Sequence, residues 1–172
     1  MIEPLTSLRA LFAIFVFLSH LSFLNNSSYE KLFNYVFHDG FLGVSFFFIL
    51  SGFILAYNYQ DKFLKKNISI RSFYISRLAR IYPMHIATLL FALILSFFSS
   101  NDGYRFLFQH IFLIQSFFSN KDIYFSLNAP SWSISNEMFF YLLFPFLIFF
   151  NNKIKLILFV LGVVLILLLN RY

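Results

Sequence analysis

Glu137 is the only charged residue in the nineteen positions from Trp132 to Phe150. A carboxylate in such surroundings costs several kcal/mol by order of magnitude unless it is paired or faces a wet cavity, so its default reading is chemical. His20 is a second titratable group set in an apolar segment. Arg9 precedes it by eleven residues. At about 100° per residue that spacing puts both on one helix face, roughly 16 Å apart along the axis. Imidazole titrates near neutral pH, so His20 suits a general base, with Arg9 holding an anion nearer the membrane surface. The plainer reading of the pair is a snorkelling arginine and a histidine bonded to a neighbouring helix.

Arg77 and Arg80 are three apart and point the same way on a helical turn. Such a pair can grip a phosphate through bidentate contacts or simply anchor the chain at the membrane surface. Ser133, Glu137 and Tyr141 recur every four residues and form one polar stripe, expected to face the interior of a bundle. On that stripe Glu137 can take a proton, orient His20 or bind a sugar hydroxyl; its plainer role is an interhelical hydrogen bond made as a neutral acid. Trp132 follows Pro130 and Ser131 and reads on its own as an interfacial aromatic anchor. His38, His85 and His110 show no ligand-like spacing, and no metal site is expected. With no cysteine in the chain, thiolate catalysis and disulfides are excluded.

The elements that must position these groups are membrane helices. Of 172 residues, 60% are hydrophobic and 12% charged, and 29 are phenylalanine; the mean hydropathy is +0.77. A soluble domain of this composition would expose large apolar patches and aggregate. Phe41 to Tyr57 and Ile81 to Phe98 are seventeen and eighteen residues without a charge, near the length that crosses about 30 Å of hydrocarbon. The expected fold is all-α, a polytopic transmembrane bundle of five to six helices. The spans are Leu5–Leu24, left uncleaved, Phe41–Tyr59, Ile81–Phe98 with Pro83 in its first turn, Trp132–Phe150 and Leu156–Leu169. The stretch from Phe106 to Phe118 is short and partly polar, and either spans or re-enters. Ser51-Gly52 reads as a close helix contact through small residues.

The net charge of +6 is concentrated rather than spread. Six of the thirteen basic residues (Lys62, Lys65, Lys66, Arg71, Arg77, Arg80) lie between Gln60 and Pro83. A basic loop between two apolar runs marks the cytoplasmic side, so the charge reports topology and not nucleic-acid binding. The N-terminus is then cytoplasmic in a multi-pass protein of the cell (inner or plasma) membrane.

Four segments taken in order resemble the acyltransferase 3 family of membrane-bound acyltransferases. Leu8-Arg9 with His20 resembles its arginine–ten residues–histidine signature. Gly43-Val44-Ser45-Phe46-Phe47-Phe48-Ile49-Leu50-Ser51-Gly52-Phe53 resembles its second helix. Arg77-Leu78-Ala79-Arg80-Ile81-Tyr82-Pro83 resembles its Arg-x-x-Arg-Ile-x-Pro segment. Pro130-Ser131-Trp132-Ser133-Ile134 with Glu137 and Tyr141 resembles its Pro-x-Trp-Ser run.

The resemblance implies transfer of an acyl group, commonly acetyl, from a cytoplasmic acyl-CoA-type donor to a hydroxyl of a cell-surface carbohydrate or glycolipid. His20 would be the catalytic histidine, with Glu137 the matching acidic residue. Arg9, Arg77 and Arg80 would serve the donor, and Trp132, Ser133 and Tyr141 would support the site. Acyl-CoA, acetyl-CoA first, is the co-substrate; no resident cofactor is expected, and membrane lipid is the remaining partner. Family members have around ten membrane helices, so residues 1–172 read as one transmembrane domain, the N-terminal part of a longer one. The competing readings are a non-enzymatic or transporter-like fragment, with Arg9, His20 and Glu137 lining a polar conduit, and an inactive truncated product.

Overall fold

A computed structural model describes residues 3–19, 41–99 and 102–169. Five long helices run through them: α1 Glu3–Ser19, α2 Phe41–Leu64, α3 Ile70–Phe98, α4 Ser131–Phe149 and α5 Asn152–Leu169. No strand occurs among the described residues. An apolar run in hydrocarbon must satisfy its backbone internally, and a helix does so within one segment. Three helices, over Leu42–Leu64, Ile70–Phe98 and Ser131–Phe149, are long and apolar enough to cross a membrane. His20, His38 and the polar stretch after the first helix lie outside the described residues.

The chain forms two compact units, Met1–Ala56 and Tyr57–Tyr172, with the boundary inside α2. In the first unit α1 lies close against the start of α2. Phe12 stacks on Phe46 with ring centroids 4.0 Å apart. Gly43 makes that approach possible: a Cβ there would meet Val16 Cγ2 at 2.5 Å and the Phe12 carbonyl oxygen at 3.3 Å. Among the described residues, Gly52 makes no close contact of the kind expected at Ser51-Gly52: an added Cβ would meet none of their atoms within 4 Å. The close crossing instead uses the glycine that opens the same motif. Alanine favours a helix over glycine by about 1 kcal/mol, so without a clash Gly43→Ala would stabilise the protein. It is expected instead to lower the thermal midpoint of the detergent-solubilised protein, with overpacking costing about 1–3 kcal/mol. Adding Val16→Ala should restore most of the loss; a Gly43→Ala protein as stable as the parent would refute the close crossing.

In the second unit, α2 ends in a tight turn at Lys66, which adopts a left-handed φ of 55°. There the Lys66 and Asn67 amides donate back to the Phe63 and Lys62 carbonyls. Ser69 caps the next helix, its hydroxyl accepting from the Ser72 amide at 3.1 Å. Helix α3 therefore begins at Ile70, not at Ile81, and Pro83 lies in its interior. Most of the expected basic loop is helical, because Arg, Leu and Ala between Ser69 and Pro83 are good helix formers and the serine supplies the start. Pro83 has no amide to offer the Ala79 carbonyl, a tolerated loss in a membrane helix. With 29 residues, α3 is roughly 43 Å long, longer than about 30 Å of hydrocarbon. If Ile81–Phe98 fills the hydrocarbon, Arg77 and Arg80 stand at headgroup level.

The stretch Phe106–Phe118 does not form a span. Its longest continuous helical run, a 3-10 turn at Asp102–Phe106 passing into Leu107–Ile111, covers about half the distance a crossing needs. Single turns at Gln115–Phe117 and Lys121–Tyr124 follow. Helix α4 then runs back along α3, with the Tyr74 hydroxyl donating to the Leu142 carbonyl at 3.0 Å. The start of α3 meets the later part of α4, so the two are antiparallel.

Candidate functional site

Three helical faces of the second unit converge on Arg77. On α3, Phe73 and Arg77 are one turn apart and share a face; on α2, Tyr59 and Phe63 do the same. Phe73 is fully buried, with its ring edge-on to Tyr59 at 5.1 Å and to Phe63 at 5.4 Å. Phe144 of α4 stacks on it at 5.7 Å. This aromatic packing fixes the floor under the arginine. The Arg77 guanidinium lies 4.9 Å from the Tyr59 ring centre and 5.7 Å from that of Tyr141, both within cation–π range. Its Nη2 donates to the Tyr59 hydroxyl at 2.6 Å. Its Nε is buried and has no hydrogen-bond partner among the described residues.

Tyr141 is 2% exposed, and its hydroxyl donates to Glu137 Oε1 one helical turn earlier. Arg77 and Arg80 both exert a Coulomb field at Tyr141, and Arg80 itself is exposed. The structure thus brings together four of the expected site residues: Arg77, Arg80, Glu137 and Tyr141. It does not join Ser133 to them. The Ser133 hydroxyl donates to the Pro130 carbonyl at 2.9 Å, within its own first turn. Trp132 stacks on Tyr124 at 5.8 Å. Arg9 stands half-exposed on α1 in the first unit. The buried polar positions at the start of α4 are Ser131 and Ser135, offset from the expected Ser133 stripe because the folded stretch before α4 packs on that side.

That stretch carries a buried polar network. Ser126 donates to the Ile123 carbonyl at 3.0 Å, so the proton between His110 Nε2 and Ser126 Oγ, 2.8 Å apart, belongs to the histidine. His110 Nδ1 is then an acceptor, facing the Ser131 hydroxyl at 3.5 Å. Gln115 Nε2 donates to that hydroxyl at 3.0 Å. His85 of α3 donates from Nε2 to the His110 carbonyl at 2.8 Å. Ser135 donates to the carbonyl of Leu113 at 2.5 Å, and Leu113 is a bulky residue at φ 54° held in that costly region by burial and by this bond. Burial pushes the His110 imidazole below its ordinary value, the Ile123 carbonyl opposes the shift, and nearby His85 adds to it.

The family model for the acyltransferase domain, acyltransferase 3, matches residues 4–170. The chain belongs to the acyltransferase 3 family. Acyltransferase MdmB of Streptomyces mycarofaciens is 34% identical over 156 residues, covering 84% of this chain and 38% of its own length. No solved structure matches the chain. Within this acyltransferase 3 chain, the Arg-x-x-Arg and Pro-x-Trp-Ser segments lie on antiparallel helices that meet at Arg77 and Tyr141. The sequence pattern left out Tyr59, His85, His110 and Gln115. Tyr59 carries one usable signal, its place one turn before Phe63 at the basic end of α2. The histidines carry none, because a chain reversal brings them together.

Proposed function

We propose that this protein is a membrane acyltransferase. It moves an acyl group, acetyl first among the candidates, from a cytoplasmic acyl-CoA-type donor to a hydroxyl of a cell-surface carbohydrate or glycolipid. The observation that carries the reading is Arg77: a permanent cation caged by aromatic rings beside Arg80, with a buried Nε–H that has no partner among the described residues. An oxyanion such as a donor phosphate supplies what that edge lacks. Family membership and the name of the relative MdmB support acyl transfer as the chemistry. His20 takes the proton from the acceptor hydroxyl, and the oxygen attacks the acyl carbon. The carbon–sulfur bond breaks, and the thiolate leaves and is protonated. Glu137 holds Tyr141 beside the donor subsite and polarises the site. Trp132 and Ser133 brace the turn that starts α4, and Arg9 adds positive charge for the donor.

In this reading α1 and α5 are further spans, which gives five in all in the inner or plasma membrane. The N-terminus is cytoplasmic, and the basic turn at Lys62–Lys66 faces the same side. The folded stretch 102–130 then lies on the acceptor side. Membranes bearing the protein, supplied with radiolabelled acetyl-CoA, are expected to pass label to the glycan or glycolipid fraction. Labelling no greater than in membranes without the protein counts against the reading.

A further inference from the structure

We infer that Tyr59 is the positioning residue of the donor-anion subsite, setting which edge of Arg77 meets a phosphate. The inference rests on the donor reading above and adds a residue that none of the sequence motifs contains. A guanidinium offers five N–H donors in a fixed planar fork, and an oxyanion is gripped best by two parallel donors on one edge. The bidentate pairing that uses Nε–H takes its second donor from Nη2, which carries two hydrogens, one of them accepted by Tyr59. The Tyr59 hydroxyl accepts a hydrogen bond from Nη2 at 2.6 Å and its ring lies 4.9 Å from the same group. Tyr141 flanks the group at 5.7 Å and Phe73 at 6.0 Å. The plane is thereby fixed and one donor consumed, while Nε–H stays buried and unpartnered among the described residues. No ion pair to Arg77 forms among them either, so its charge is kept for a ligand.

A buried N–H on a permanent cation is costly to leave unmade. The natural occupant is a phosphate oxygen, from either a coenzyme A phosphate or a lipid headgroup. The aromatic floor under Tyr59 separates this role from general support. Phe63, Phe73 and Phe144 pack together, so loss of the phenol oxygen alone leaves the core filled.

The test compares the full-length parent protein with Tyr59→Phe in nanodiscs of phosphatidylcholine alone and of phosphatidylcholine with phosphatidylglycerol, each titrated with coenzyme A. In neutral discs Tyr59→Phe is expected to weaken coenzyme A binding about 3- to 10-fold, the loss of one acceptor that orients a charged donor. The acetyl-CoA KM should rise by a similar factor, with kcat and the thermal midpoint unchanged. A merely structural role would move the midpoint and kcat instead, and that outcome overturns the inference. Equal coenzyme A affinity in parent and variant also overturns it, while leaving the acyltransferase reading intact. Coenzyme A binding seen in neutral discs but abolished by phosphatidylglycerol in parent and variant alike assigns the subsite to lipid and overturns it too. No coenzyme A binding by the parent in either disc overturns the donor reading itself, a result distinguishable from the other three.

Discussion

Alanine at His20 is expected to lower acyl transfer by about two to four orders of magnitude, the contribution of a positioned general base. An acceptor hydroxyl is a poor nucleophile until its proton is taken, and imidazole as a side-chain type is suited to that task near neutral pH. The substitution should act on kcat, not on donor binding. Arg77 is held by Tyr59, Tyr141 and Phe73, and His20 is not among the side chains that cage it. Coenzyme A affinity should therefore survive His20→Ala within about twofold, well inside the tenfold step that 1.4 kcal/mol would make. The measurement is a pair: initial rates of acetyl transfer in membranes, and coenzyme A titration of the same purified variant. Retained turnover refutes the base, and loss of both quantities points to misfolding.

Much of this fold is legible from one-dimensional pattern because hydrocarbon leaves the backbone few choices. Uncharged runs of seventeen or eighteen residues had to become helices, and they did. Ends were less legible. Pro83 reads as a helix start, which sets the expected beginning of α3 eleven residues late; Ser69 supplies the cap and the proline sits inside. The paired arginines read as a unit in sequence, yet they differ in kind: Arg77 is clamped and Arg80 is exposed. What separates them is Tyr59, a residue of another helix, and helix pairing is not written in local spacing. On α4 the period of four joins Glu137 to Tyr141, while Ser133 bonds within its own turn. Glu137 and Tyr141 do bond one turn apart, while the deeply buried serines are Ser131 and Ser135.

The two ends of the antiparallel pair α3–α4 are built by different chemistry, and this bears on which substitutions alter function and which alter folding. Near the basic turn, aromatic rings surround a cation whose donors are incompletely used. At the other end, His110, Ser131 and Gln115 close on one another, and Tyr82 adds a bond to the Ile111 carbonyl at 2.5 Å. Asn128 reaches Thr88 at 3.1 Å. On the proposed function the first end receives the acyl donor. The second fastens the stretch 102–130 onto the helices and aims the Pro130–Trp132 corner. Changes at Tyr59 should therefore surface in donor affinity, and changes at His110 in stability.

His110 gives that second end a pH dependence whose sign follows from its hydrogen bonds. Nδ1 accepts from Ser131 while Nε2 donates to Ser126, so the neutral ring fits; a second proton, on Nδ1, would displace the Ser131 donor and meet a hydroxyl that already accepts from Gln115. Burial, with a smaller push from His85, also holds its pKa below the ordinary 6.5. The unfolded chain takes up the proton near 6.5, whereas the folded chain does so only at lower pH. Stability is thus fully present above that value and falls as pH drops from it toward the folded value, by at most about 1.4 kcal/mol per pH unit for one group. Thermal unfolding of the purified protein in nanodiscs, followed from about pH 8 down to about pH 5, is expected to show that decline. His110→Gln should lose about 1–3 kcal/mol at neutral pH, because Ser126 and Ser131 are left imperfectly bonded. It should also flatten the decline on the acid side, while His85→Gln keeps most of it. An acid-side slope equally steep in His110→Gln would assign the proton to another group and free His110 of this role.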